Sequence, residues 1–154
     1  MKVVKFLVII LFGILIVSCK KEKMLQDFMV DSWQTTYLKI EMPTANKTDS
    51  LSVYEDEFDN NPDRIAQSKY NADGTFSAWF INKQGVKDSK SNGTWSVNKD
   101  TLHIEYFYLG RNVKVNYIVT KAEEGFIAKS VYDWDDDGEF DDTLIMKTKR
   151  IKSE

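Results

Sequence analysis

The stretch that decides the fold is DTLHIEYFY, residues 100–108. Its aliphatic and aromatic residues alternate with polar ones: Leu102, Ile104, Tyr106 and Tyr108 against Thr101, His103 and Glu105. Successive side chains of a β-strand point to opposite faces, so this alternation predicts a strand with one buried and one solvated face. NVKVNYIVTK, residues 112–121, repeats the pattern and predicts the neighbouring strand.

Similar stretches, separated by turn-forming residues, extend from this pair in both directions. Asn, Asp and Gly cluster in the intervals, as in NADG at 71–74, and these residues favour tight turns. The connection 43–64 is polar and acidic, and we predict a loop there without strands. A short helix is expected around residues 24–30. The predicted strands cover residues 33–42, 65–70, 75–82, 93–98, 100–108, 112–121, 126–133 and 143–151.

Eight strands joined mostly by tight turns predict an all-β, antiparallel up-and-down meander. Such a meander removes its two edges by closing into a barrel. The interior of an eight-stranded barrel is just wide enough to be filled by side chains or to hold one small ligand. A two-sheet sandwich is the alternative, and the short loops between consecutive strands favour the barrel.

The N-terminal segment has the pattern of an export signal. Two lysines precede an apolar run of twelve residues, 6–17, which is shorter than the about 20 residues of a membrane-spanning helix. The run ends in Ile16-Val17-Ser18-Cys19 and resembles the lipobox of bacterial lipoproteins. That resemblance implies a signal peptide over 1–18 and a diacylglyceryl group on the Cys19 thiol. It also implies that the new amine is acylated with a fatty acid such as palmitate. An ordinary signal peptide with an incidental cysteine is the alternative.

Composition excludes several classes of function for the remaining chain, which we divide into a tether, 19–31, and a domain, 32–151. Without residues 1–18, 19 basic residues stand against 24 acidic ones, a formal charge of −5 that disfavours nucleic acid as a partner. Cys19 is the single cysteine. If it carries lipid, the domain has no disulfide, no cysteine–metal site and no cysteine nucleophile.

Four short motifs give the domain a family resemblance. Asp31-Ser32-Trp33 begins the first strand where lipocalins have Gly-x-Trp, and Asp31 takes the place of that glycine. The others are DGTF at 73–76, GTW at 93–95 followed by SVNKDTLHI, and the final DTLIMKTKR at 142–150. Over residues 29–151 the chain resembles the lipocalin-like lipoproteins of the Bacteroidetes type. The resemblance implies a calyx-like barrel with, at most, a small apolar ligand.

A binding function follows as the first hypothesis. Tyr106, Tyr108 and Tyr117 lie on the apolar faces of their strands and are the predicted ligand-binding residues. The acidic run 54–63 is predicted to be a mobile loop over one barrel mouth, and hence a candidate lid. The alternative is a structural or interaction lipoprotein with a filled barrel and loops that bind a protein. In either case we expect a monomer anchored to the outer membrane through Cys19, facing the periplasm or the cell surface.

An acidic segment, YDWDDDGEFDDTL at 132–144, is the one candidate cation site. Asp133, Asp135 and Asp137 alternate and a glycine follows, as in the first half of a calcium-binding EF-hand loop. The twelfth position is a leucine, so Asp141 is predicted to supply a ligand from the far side of the hairpin, with Asp142 as the alternative. Calcium is therefore the predicted ion, and no other cofactor is expected. The alternative is an acidic hairpin whose charges face water.

Catalysis is not expected. His103 is the single histidine and lies on the polar face of its strand, which makes a zinc site improbable. No serine has the sequence context of a nucleophile elbow, so a Ser-His-Asp triad is not predicted. Trp33 and Trp95 are expected to be buried and to plug one end of the barrel.

Overall fold

The computed structural model describes residues 24–48, 50–61, 63–108 and 110–151. Residues 24–29 form a helix, α1, and none of the helices described is long and apolar enough to cross a membrane. The predicted signal peptide, Cys19 and the first part of the tether lie outside the described residues. The strands are β1 (Asp31–Met42), β2 (Ser52–Asp56), β3 (Arg64–Tyr70), β4 (Thr75–Asn82), β5 (Lys87–Asn98), β6 (Thr101–Tyr108), β7 (Arg111–Lys121), β8 (Gly125–Tyr132) and β9 (Asp142–Arg150).

Eight of these strands form one closed antiparallel barrel, which confirms the predicted fold class. Each strand from β3 to β8 pairs with the next one along the chain. β1 closes the circle, because it pairs with β9 from Trp33 to Glu41 and with β3 from Asp31 to Gln34. The sandwich alternative is excluded by this closure.

β2 is an additional strand in the region where we predicted none, so the prediction of a strand-free loop over 43–64 was wrong. It pairs with β1, with Leu38 opposite Asp56 and Met42 opposite Ser52. It lies at an edge of the sheet, and its residues 53–55 are exposed to water. β5 also begins six residues earlier than predicted. The sequence pattern missed this first part because residues 87–90 are exposed and lack an apolar face.

The first tryptophan closes one end of the barrel, as expected. Trp33 is fully buried, and its ring meets that of Phe126 edge to face at 5.0 Å. Its indole nitrogen donates a hydrogen bond to the carbonyl oxygen of Met29 in α1, at 3.0 Å. The guanidinium of Arg150 lies 4.4 Å from the Trp33 ring and pairs with Asp31. Asp31, which replaces the glycine of Gly-x-Trp, therefore holds the Arg150 guanidinium against the Trp33 ring.

The second tryptophan lies in the same closed end. Trp95 is 4 % exposed, and its ring meets Tyr70 edge to face at 5.4 Å. Its indole nitrogen donates to the carbonyl oxygen of Asn71, in the β3–β4 turn, at 2.9 Å. The polar atom of each buried indole is thus satisfied by backbone, and both rings contribute apolar burial.

Gly93, two residues before Trp95, is required by a close approach of strands. A Cβ at this position would lie 2.7 Å from the Cβ of Tyr106 and would overlap the carbonyl oxygen of Glu105. Backbone of a neighbouring strand cannot move aside as a flexible side chain can.

We therefore expect Gly93→Ala to lower the free energy of unfolding by about 3 kcal/mol, the upper end of overpacking costs. Ser96→Ala, on the exposed face of the same strand, is the control and is expected to change it by less than about 0.5 kcal/mol. Urea denaturation measures both. Equal stability of the two variants would contradict the close approach of β5 and β6.

Candidate functional site

A cavity of about 220 Å³ lies inside the barrel, between the tryptophan-closed end and the opposite end. β1, β3, β4, β5, β6, β7 and β9 all contribute to its lining, together with Phe58 and Trp134 from loops. Among the described residues, no Asp, Glu, Lys, Arg or His side chain lines it. The barrel therefore has an apolar interior space that side chains do not fill.

The three tyrosines predicted to bind ligand all line this cavity. Tyr117 is 6 % exposed, and the ring of Tyr106 lies 6.0 Å from that of Tyr108 and 5.7 Å from that of Phe76. The structure thus brings the predicted residues together around one space. Their contact with a ligand stays a prediction.

The hydroxyl groups inside the barrel are neutral donors. Burial raises the pKa of Tyr70, Tyr106 and Tyr117 above its ordinary value, because a phenolate would lose its hydration. Over the described ranges, no hydrogen bond is found between the hydroxyl of Tyr106 or Tyr117 and another protein group. These two groups are available to a molecule in the cavity.

The sequence predicted only three of the lining residues as ligand contacts, and Phe58 and Tyr70 are two of those it missed. Phe58, in a short 3-10 turn after β2, is 5 % exposed and stacks on Phe80 with ring centroids 6.5 Å apart. The acidic run 54–63 is therefore not simply a mobile loop, because part of it is strand and Phe58 is buried; its action as a lid stays a prediction. Tyr70 could have been found, since it shares the inward face of its predicted strand with Ala66 and Ser68.

The β8–β9 loop holds a group of three carboxylates. Asp133, Asp135 and Asp142 each offer one oxygen, and these oxygens lie within 4.8 Å of one another. Asp137 and Asp141, which we predicted as calcium ligands, do not belong to this group, whereas Asp142, the alternative to Asp141, does. The Asp137 carboxylate accepts a hydrogen bond from the backbone of Glu139 at 2.8 Å, and Asp141 accepts one from the Thr44 hydroxyl at 3.4 Å.

Hydrogen bonds to backbone hold this loop in shape. The Asp142 carboxylate accepts from the backbone nitrogens of Trp134 and Asp135, at 2.6 and 3.2 Å. Asp133 accepts from those of Asp137 and Gly138, at 3.1 and 3.2 Å. Burial raises the pKa of Asp142, which shows the cost of placing a charge there. The same carboxylates serve as turn-forming acceptors and as the candidate oxygen ligands of a hard cation.

Arg111 ties the loop to β7. Its guanidinium donates to the carbonyl oxygens of Asp133 and Trp134, at 2.9 and 3.1 Å, and pairs with Asp136 at 2.5 Å. Asp136 has a positive φ of 65°, so the loop turns sharply there. This anchoring positions Trp134 over the cavity, and the acidic loop is thereby part of the cavity wall.

His103 lies on the outer face of β6, away from the cavity. Its Nδ1 is 2.6 Å from the Oδ1 of Asn116 on β7.

No family model matches the chain, and no curated protein matches it. The function is therefore argued from the geometry of the barrel and its N-terminal sequence.

Calcium at the β8–β9 loop stays a prediction from the sequence, and thermal melting tests it. Millimolar Ca²⁺ is expected to raise the Tm by roughly 4 °C if the loop binds with a Kd near 10⁻³ to 10⁻⁴ M, typical of extracellular calcium modules. Asp135→Asn should abolish the rise, whereas Asp88→Asn, on the exposed start of β5, should keep it. An unchanged Tm of the unsubstituted chain at 10 mM Ca²⁺, about ten times the weakest Kd, would refute the prediction.

Proposed function

We propose that this chain is a lipocalin-like lipoprotein of the cell envelope that binds one small apolar ligand in its barrel. The observation that carries the proposal is the 220 Å³ cavity, which is lined by residues of seven strands and mostly by apolar surface. Transfer of an apolar molecule from water into such a space is favourable. Ligand sites of proteins are commonly concave and mostly apolar, with a few polar groups that orient the ligand.

A non-enzymatic role fits the chemistry of the lining. The titratable groups at the cavity are tyrosines, and burial raises the pKa of Tyr106 and Tyr117. A hydroxyl with a raised pKa is a poor general acid or base near neutral pH. The single histidine, His103, is outside the barrel. Binding, rather than chemical conversion, is the function that these groups support.

Native mass spectrometry tests the proposal. The chain is incubated with a small-molecule extract of cell envelopes, and we expect it to retain a mass that is absent from the untreated sample. Ala78→Phe places a ring in the cavity and should prevent retention, whereas Ser96→Ala should not. Absence of any retained mass, or equal retention by Ala78→Phe, would argue against ligand binding in the barrel.

The second candidate is a protein-binding role through the loops and β2. Among the residues described, β2 pairs with β1 alone, and Leu51 just before it and Val53 within it are exposed. An extended peptide can add to such a strand through backbone hydrogen bonds. If the extract yields no retained mass, this candidate becomes the preferred one.

The membrane association is proposed from Cys19 and the preceding apolar run. One acyl chain gives only marginal binding, so several chains on one residue are needed for stable anchoring. The net negative charge does not favour adsorption to anionic lipid surfaces. We propose an outer-membrane location, facing the periplasm or the surface, and a monomer.

Cys19→Ser is expected to remove the lipid and to move the protein from the membrane fraction to the soluble fraction of the envelope. Metabolic labelling with a fatty acid and cell fractionation measure the two effects. Ser18→Ala keeps a small residue at the cleavage position and is the control, with unchanged labelling. A Cys19→Ser protein that stays in the membrane fraction would refute the anchor.

A further inference from the structure

We infer that the cavity takes a neutral, single-ring compound bearing a hydroxyl or similar hydrogen-bonding group, and that it excludes long-chain lipids. The inference rests on the proposed function and names the class of ligand. Three observations on the same cavity support it: its volume, the rings that border it, and the hydroxyl groups without partners.

Volume limits the ligand to one ring. An apolar protein cavity of about 150 Å³ is known to hold benzene, and the present cavity is roughly half as large again. It falls below the about 300–1,000 Å³ usual for drug-sized ligands. The cavity is therefore too small to take up the whole of a sixteen-carbon chain.

The shape of the wall favours a flat ring. Three neighbouring strands supply small residues: Ala66 and Ser68 on β3, Ala78 on β4, and Ser89 and Ser91 on β5. Aromatic side chains border the same space, with Phe76 in contact with both Tyr70 and Tyr106, at centroid distances of 5.0 and 5.7 Å. Aromatic rings pair favourably in offset or edge-to-face arrangements, so a ligand ring gains contacts that an aliphatic chain does not.

Polarity selects a neutral ligand with one polar group. Since the described lining contains no Asp, Glu, Lys, Arg or His, a charged ligand would lose its hydration without a counter-ion. Tyr106 and Tyr117 each bring to the cavity a hydroxyl for which no hydrogen bond to another described residue is found. A hydroxyl can donate and accept a hydrogen bond, so a ligand hydroxyl can pair with Tyr106 or Tyr117 in either role.

Isothermal titration calorimetry of the full chain with four defined compounds tests the inference. The compounds are p-cresol, toluene, p-toluate and palmitate, which separate the effects of the hydroxyl, the charge and the length. We expect p-cresol to bind most tightly, toluene to bind about three- to tenfold more weakly, and p-toluate and palmitate not to bind. Tighter binding of palmitate or p-toluate than of p-cresol would overturn the inference.

Tyr117→Phe isolates the hydroxyl while keeping the ring. It should lower the affinity for p-cresol about three- to tenfold and leave the affinity for toluene unchanged. Tyr37→Phe, at a tyrosine outside the cavity lining whose hydroxyl donates to Glu55 at 2.7 Å, is the matched control and should change neither affinity. Unchanged p-cresol affinity in both Tyr117→Phe and Tyr106→Phe, with unchanged Tm, would overturn the role of the hydroxyls.

The experiment separates the failure of the inference from the failure of the proposed function. If palmitate binds and Ala78→Phe abolishes its binding, the barrel is a ligand site but the inferred class is wrong. If none of the four compounds binds and no envelope mass is retained, the inference and the proposed function both fail.

Discussion

The hydrogen bonding of β1 to strands on both of its sides is the constraint on which the structure depends. An open sheet exposes backbone donors and acceptors along its edges. Here β9 satisfies one side of β1 over nearly its whole length. Trp33 lies on this seam, opposite Arg150, and the cation covers the ring that closes the barrel. Without that pairing there would be no interior, no closed end and no cavity.

The other side of β1 is shared by two partners. β3 leaves it after Gln34, and β2 pairs with it from Leu38 onward, so β2 and β3 together act as one interrupted strand. The interruption inserts Phe58, which packs on Phe80 and lines the cavity. Beyond it, β3 presents Ala66 and Ser68 inward, where larger side chains would fill the barrel. The irregular seam and the small residues therefore explain why this interior keeps space.

Regular alternation made most of the barrel predictable. β6 and β7 are half buried along their whole length, so their period is visible in the sequence and their tyrosines could be assigned to the interior. β2 and the first half of β5 are exposed, and nothing in their composition separates them from loops. The burial of Phe58 depends on how distant segments meet, and the position of Asp142 rather than Asp137 beside Asp133 and Asp135 depends on how the loop folds back. A local sequence pattern contains neither. The fold was thus accessible from the sequence, whereas the complete wall of the cavity was not.

The barrel has two unlike ends, and this gives the proposed anchored protein a defined orientation. α1 packs on the end closed by Trp33, and only four residues separate Cys19 from Met24. That stretch of chain can span at most about 18 Å when extended. If Cys19 carries the proposed lipid, the tryptophan end would then lie next to the bilayer and the cavity on the side away from it. Ligands would then reach the cavity by diffusion through water and not by lateral transfer out of the lipid leaflet.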